Sequence, residues 1–332
     1  MYESFYGFSA KPFQLKPDPL FFYGSKGHKR AMGYLEYGVA QGEGFIVITG
    51  DVGAGKTTLV RSLFRKLPAN EIVAAQIVNT QVTADDIVRQ VAAAFGLPFQ
   101  GVSKAGLLSS LEQFLRQCER QGKRALLVVD EAQNLTPGAI EELRMLSNFQ
   151  SDERALLQTF LVGQPEFRSL LLGLGMKQLL QRVIATYHLG PLDLEETTAY
   201  IQHRLRTVGW AEDPVIEQPS YGAIYAYTGG IPRKINTLCD RLFLLGYLED
   251  LHRFGAKEVE KVIADINEEL MPTALASEEL PAAAIAVAAP DNGPHLDEIN
   301  TRLERMERTM TSLLGTIKNV LFSTTKTTAE NP

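Results

Sequence analysis

Residues 50–57 read Gly-Asp-Val-Gly-Ala-Gly-Lys-Thr and match the spacing G-x-x-x-x-G-K-[ST]. Glycines here let the backbone turn tightly and aim several N–H groups inward, toward an anion. Lys56 has the reach to meet β- and γ-phosphates, and the Thr57 hydroxyl is a magnesium ligand by type. The candidate phosphate loop therefore comprises Gly50, Asp51, Val52, Gly53, Ala54, Gly55, Lys56, Thr57 and Thr58. A second cluster closes the apolar run Ala125-Leu-Leu-Val-Val-Asp130-Glu131. Carboxylates at a buried strand tip are costly unless a cation or hydrogen bonds compensate them. Beside a nucleotide, Asp130 would hold magnesium, usually through water, and Glu131 would polarise an attacking water as general base. The plainer alternative for Glu131 is a cap on the next segment. Binding of a nucleoside triphosphate is the chemistry these residues suit, and the paired acids favour its hydrolysis.

These residues need a scaffold. Phe45 to Thr49 reads as a strand buried on both faces, and Lys56 to Leu67 has helical spacing, giving the strand, loop and helix that a phosphate loop requires. Further strands are expected at Ile72–Val78, Ala125–Val129, Leu156–Val162 and Val183–Leu189. Helices are expected between them at Ala84–Phe95, Leu107–Arg120, Pro137–Phe149 and Glu166–Leu180. Such alternation implies an α/β fold, a parallel sheet with helices on both faces and ligands at the carboxyl ends of the strands. Residues 44–190 would form this nucleotide-binding domain. After Pro191 only helical patterns follow, at Leu194–Val208, Tyr221–Tyr227, Pro232–Tyr247 and Lys257–Leu270, so residues 191–270 read as a helical lid.

Cations besides Lys56 are needed for charge developing on a transferring phosphoryl group. Arg233, at the start of a lid helix, is placed to approach from above, and Arg182, just before the fifth strand, lies where a neighbouring subunit could receive it. For either, a surface or capping ion pair is the alternative. Asn79, closing the second strand, is a candidate hydrogen-bond partner for Glu131. Gln164, past the fourth strand, is a candidate to orient the water or sense the γ-phosphate.

Composition sets the remaining bounds. The apolar fraction of 45% and charged fraction of 22% are ordinary for a globular protein, and a net charge of −6 argues against broad coating by nucleic acid. The two cysteines, Cys118 and Cys239, lack metal-type spacing and suit buried thiols in a reducing compartment. Neither a signal-peptide pattern nor a run near the ~18 apolar residues of a membrane span is present, so a cytoplasmic protein is expected, at most peripheral to an inner-membrane complex. Residues 1–43 hold Phe5, Tyr6, Phe8, Phe13, Phe21, Phe22 and Tyr23, broken by Pro12, Pro17 and Pro19. They read as an irregular arm packing its aromatics on the next domain, followed by a helix from His28 to Gln41. Residues 271–294 read as an Ala/Pro linker. Leu296, Ile299, Leu303, Met306, Met310, Leu313, Ile317 and Val320 then form a heptad seam, so 295–322 is expected to pair as a coiled coil or dock as a single amphipathic helix. Residues 323–332 are expected to be disordered.

Together these motifs resemble an AAA+ ATPase. The opening Phe5-Tyr-Gly-Phe-Ser-Ala-Lys-Pro-Phe-Gln-Leu-Lys-Pro-Asp-Pro-Leu-Phe-Phe-Tyr, with DEAQNLT at 130–136, LVGQPEF at 161–167 and YHLGPL at 187–192, resembles the general secretion pathway A-type ATPases. Within that group the chain is similar to the secretion ATPases of exosortase (PEP-CTERM) loci, which also carry a stretch like GEGFIVITG at 42–50. The resemblance spans about 1–270. It implies a three-layer αβα core of strand order 5-1-4-3-2, the cofactors ATP and Mg2+, self-association through the AAA+ interface, and a role in secretion or exopolysaccharide export. By that pattern Gln164 maps to sensor 1, Arg233 to sensor 2 and Arg182 to the arginine finger. Secretion A-type members often continue into a membrane span and a peptidoglycan-binding domain. The heptad segment stands in that place here, which turns the expectation from the cell wall toward a partner or another copy. Two other functions compete: a DNA-associated helper ATPase of the transposition type, which the acidic balance and lack of a helix-turn-helix or zinc module oppose, and a nucleotide-gated scaffold with slow turnover.

Overall fold

Short apolar runs bounded by turn residues become five strands: β1 (Phe45–Gly50), β2 (Ile72–Ile77), β3 (Arg124–Val129), β4 (Leu157–Gly163) and β5 (Val183–Leu189). The structure, a computed structural model, describes residues 1–270 apart from 153, 174 and 175. The expected linker, heptad helix and tail at 271–332 lie outside the described residues. All five strands run parallel in the order β2-β3-β4-β1-β5, which is the expected 5-1-4-3-2 read from the other edge. Phe45 pairs with Thr159 and Thr49 with Gly163, so β1 and β4 end together on the edge where the phosphate loop begins.

A short helix α1 (Tyr2–Phe5) opens the chain away from the sheet. Helices with apolar residues at three- and four-residue steps cover both faces. In chain order they are α2 (Lys26–Gln41), α3 (Lys56–Lys66), α4 (Ala84–Ala94), α5 (Lys104–Arg120), α6 (Pro137–Leu146), α7 (Glu166–Leu171) and α8 (Lys177–Leu180). Thr83, Ser103 and Thr136 each cap a helix by accepting from the backbone N–H three residues on. Because strand side chains alternate, Ile46, Ile48, Val128 and Phe160 pack under α2 and α3. Val47, Leu127, Val129 and Leu161 face the layer of α4 to α8. The single helix expected over Glu166–Leu180 is two, α7 and α8. The Gly173 N–H bonds back to Leu170 O at 3.1 Å and closes α7, where glycines at 173 and 175 make continuation unfavourable.

Residues 191–270 supply α9 (Leu194–Thr207), α10 (Gln218–Thr228), α11 (Pro232–Leu248) and α12 (Ala256–Leu270). A capping box between Asp193 and Glu196 opens α9. The purely helical reading misses β6 (Val215–Ile216) and β7 (Arg253–Phe254), a parallel pair too short for periodicity to reveal. Gly230 fixes where α11 begins. Its φ is +71°, a Cβ there would lie 1.9 Å from Leu192 O, and its own carbonyl accepts from Leu192 N–H at 2.9 Å.

The arm corrects one expectation. Tyr2, Tyr6, Phe8, Phe13 and Phe21 share a core with Phe243, Leu242, Ile201 and Phe254 of the lid, not with the α/β body that follows them in sequence. The lid supplies the aromatic partner: Phe243 lies 5.4–5.9 Å from the rings of Tyr2, Tyr6, Phe8 and Phe13. Phe22 and α2 then return the chain to the sheet. The arm crosses from lid to sheet on its way.

Candidate nucleotide site

Between the end of β1 and the start of α3 the chain must reverse sharply, and Gly53 (φ +85°) and Gly55 (φ +100°) take the left-handed conformations that this needs. A Cβ on Gly53 would meet Arg233 Cβ at 2.4 Å, and the Arg233 N–H donates to Gly53 O at 3.2 Å. The start of α11 therefore rests on the loop itself. Lys56 is buried, and its Nζ donates to Gly50 O at 2.6 Å and Asp51 O at 3.0 Å. Burial pulls its pKa down, opposed by the nearby Glu131 and Asp130 charges. Val52 and Thr58 line the cleft above the loop, while Ala54 is buried beneath it.

Thr57 Oγ1 donates to Asp130 Oδ2 at 3.1 Å, which joins the loop to the tip of β3. Asp130 is only 1% exposed, and burial pushes its pKa up, against hydrogen bonds from the Glu131 N–H and Thr57. A hydroxyl and a carboxylate are the oxygen donors that magnesium takes, and a carboxylate this buried is one that a cation would relieve. The donor set fits Mg2+.

Glu131 is a non-glycine residue in the left-handed region, with φ 52° and ψ 42°. Such a conformation persists only where the surroundings hold it. Thr80 Oγ1 donates to Glu131 O at 2.8 Å, and the Glu131 N–H donates to Asp130 Oδ1 at 3.0 Å. Its carboxylate Oε2 accepts from Gln133 Nε2 at 2.7 Å and from Gln164 Nε2 at 3.3 Å. Gln133 Oε1 in turn accepts the Gln164 N–H at 2.9 Å. Gln133 thus ties Glu131 to the end of β4, a part that sequence reasoning left unassigned. The signal was its place two residues past Glu131, on the 3-10 turn at 132–134 that folds its side chain back.

Asn79 does not make the expected contact with Glu131. β2 ends at Ile77, Asn79 is exposed, and the buried Thr80 one residue later bonds the Glu131 carbonyl instead. Arg182 also stays outside its own chain's site. Its carbonyl accepts from Phe45 N–H at the start of β1, the opposite end from the loop, and its guanidinium donates to Ser147 Oγ at 2.7 Å and to Asn148 Oδ1. Arg233 is exposed and lines the cleft.

That cleft lies between loop, lid and arm, with Glu131 and Gln164 on one wall and Gln14 to Asp18 of the arm on another. Its lid wall carries Tyr200, Arg204 and Asn236. Arg204 is buried and forms no ion pair among the described residues. Instead it donates to Pro12 O, Gln14 O and Tyr200 Oη, and stands 4.8 Å over the Phe21 ring. This one side chain bonds the arm at Pro12 and Gln14 and stacks on Phe21. Arg204→Ala leaves those buried carbonyls without donors and should cost about 1–3 kcal/mol, read as a lower midpoint in denaturant unfolding. An unchanged midpoint would show the arm to be held by its other contacts, the aromatic rings and the bonds of Tyr2, Tyr6 and Ser9.

Residues 39–171 match a family model described as an AAA domain. The Aeropyrum pernix ORC2 protein, solved as ADPNP–ADP complexes, superposes with a TM-score of 0.60 at 15% identity over 77% of this chain and 72% of its own. Cdc6p from Pyrobaculum aerophilum gives 0.58 at 18% identity over 75% and 71%, and the Thermotoga maritima RuvB branch migration motor 0.51 at 20% over 75% and 74%. The fold is that of a P-loop AAA+ domain. In sequence, the chain is 39% identical to general secretion pathway protein A of Aeromonas hydrophila over 254 residues. The match takes in 76% of the present chain and 46% of that protein, so the chain spans about half the length of the curated relative it matches.

Proposed function

We propose that the protein is a magnesium-dependent AAA+ ATPase whose turnover drives or regulates a secretion or exopolysaccharide-export system. The observation that carries the hydrolytic reading is the Glu131 carboxylate, held by Gln133 and Gln164 in the same cleft as Lys56. In this reading the loop N–H groups and Lys56 take the β- and γ-phosphates, and Lys56 exchanges its contacts with Gly50 O and Asp51 O for phosphate oxygens. Thr57 and Asp130 would hold Mg2+, which when bound offsets phosphate charge. Glu131 accepts the proton of the attacking water. Gln164 is placed to leave Glu131 for a γ-phosphate, so the base is freed when triphosphate is present. Arg233 faces the cleft from the lid, where it would add positive charge.

The secretion role is supported by the likeness to general secretion pathway protein A. The more specific tie to an exosortase locus rests on the sequence stretch at 42–50, and self-association with contacts to export components belongs to the same proposal. No described helix is long and apolar enough to cross a membrane. A site on the cytoplasmic face of an inner-membrane complex accords with this reading.

Phosphate release from ATP, with and without Mg2+, tests the proposal. Lys56→Ala should weaken ATP affinity about tenfold to a hundredfold, the scale of one charge-assisted hydrogen-bond set. Undiminished affinity in a titration calorimeter would remove the loop from the nucleotide site.

A further inference from the structure

His28 lies in the first turn of α2, buried directly behind the phosphate loop. Its backbone N–H donates to Ser25 Oγ at 3.2 Å, and the same hydroxyl is 2.8 Å from His28 Nδ1. On the other side of the ring, Nε2 is 3.1 Å from Ala54 O. A carbonyl can only accept, so the ring proton sits on Nε2, and Nδ1 is left to accept from the Ser25 hydroxyl. Burial lowers the His28 pKa, which favours this neutral ring. The loop presses flat against it: a Cβ on Gly55 would lie 2.7 Å from Nε2. Phe22 closes the site edge-on, with ring centroids 5.7 Å apart.

A phosphate-binding loop works by turning its N–H groups inward, which turns carbonyls outward. An outward carbonyl on a buried residue such as Ala54 needs a donor of its own, or the loop gains by twisting back. We propose that His28 is a positioning residue for nucleotide binding, whose Nε2–H holds the Ala54 carbonyl outward and so sets the loop's N–H groups before the phosphates arrive. His28 acts only through Ala54 and the loop backbone. Its effect therefore falls on binding that is the same in ground and transition states, which raises KM and spares kcat. The proposal rests on the reading of this loop as the nucleotide site.

Three variants of the full chain separate a donor from a mere filler. His28→Leu keeps bulk without a donor, His28→Gln restores an amide N–H that can reach Ala54 O, and His28→Asn stops about one bond short of it. ATP KM and kcat, ADP affinity by calorimetry and thermal midpoints are measured for each. His28→Leu and His28→Asn should raise KM about tenfold, with kcat at saturation within about twofold, and His28→Gln should recover most of the loss. A wild-type KM in folded His28→Leu or His28→Asn would overturn the proposal. So would a His28→Gln protein that folds yet binds as poorly as His28→Asn. If His28→Leu does not fold, the Gln and Asn pair decides alone. Wild-type protein that binds neither ATP nor ADP would instead overturn the nucleotide reading of the loop.

Discussion

Glu131→Gln should keep ATP bound and lose turnover by about a hundredfold or more, the usual effect of removing a general base. Glu131 lines the cleft yet bonds no residue of the phosphate loop, so binding does not depend on its charge. Its charge favours the protonated Lys56, a support that is lost, but the repulsion between the Glu131 carboxylate and the phosphates is lost with it and offsets this. Affinity for ATP should therefore hold or rise while phosphate release collapses. Glutamine has nearly the same shape and still offers an oxygen to Gln133, so the left-handed backbone at 131 and the tie to Thr80 are kept. Calorimetry on the variant, set beside its steady-state rate, separates the two effects. A variant that hydrolyses ATP at the wild-type rate would leave Glu131 as a structural residue only.

Arg182→Ala is expected to cost roughly a thousandfold in turnover, on the scale seen where an arginine reaches a neighbour's transferring phosphoryl group. Geometry dictates that any such action is between copies. Arg182 sits level with Phe45 while the loop begins at Gly50, and at about 3.3 Å per strand residue these lie roughly 17 Å apart. Ser147 and Asn148 hold its guanidinium at that far end. Wild-type activity per subunit should thus rise with protein concentration, and Arg182→Ala should flatten the rise with ATP affinity nearly intact. Mixing Arg182→Ala with Glu131→Gln is the sharper experiment. Each is inactive alone, but a mixed assembly can set a sound Glu131 beside a neighbour's sound Arg182, and activity should partly return. Mixed oligomers that form and stay inactive would confine Arg182 to its bonds with Ser147 and Asn148.

What was legible in the sequence was what is local. The strand–loop–helix around Lys56 and the apolar run ending in Asp130 and Glu131 announce themselves because each is one continuous stretch with one period. β5 emerges at Val183–Leu189, the span expected of it. The failures share a cause of the opposite kind. Whether Asn79 or Thr80 meets Glu131 depends on a single-residue offset past β2, which reverses the side-chain direction and leaves no trace in composition. Gln133 matters only once the turn at 132–134 folds it back toward Glu131 and Gln164. His28 reads as one more helical residue until α2 is laid against the loop. The aromatics of the arm declare burial, but nothing near them in sequence says that their partner is Phe243.

That partnership has a consequence for synthesis on the ribosome. Tyr6 Oη donates to the carbonyl of Leu251, Tyr2 Oη bonds the Asp240 carboxylate, and Phe254 packs among the arm's rings. The aromatic stretch is therefore translated well before the surface that receives it. At about 5–20 residues per second, its rings wait on the order of ten seconds or more for β7 to emerge. The sheet and its helices hold their own contiguous clusters and can collapse within that interval, whereas closure of the lid spans the longest loops in the described chain and comes late. Nascent chains stalled short of Phe254 should accordingly expose the arm to chaperones and proteases after the nucleotide-binding half has already formed.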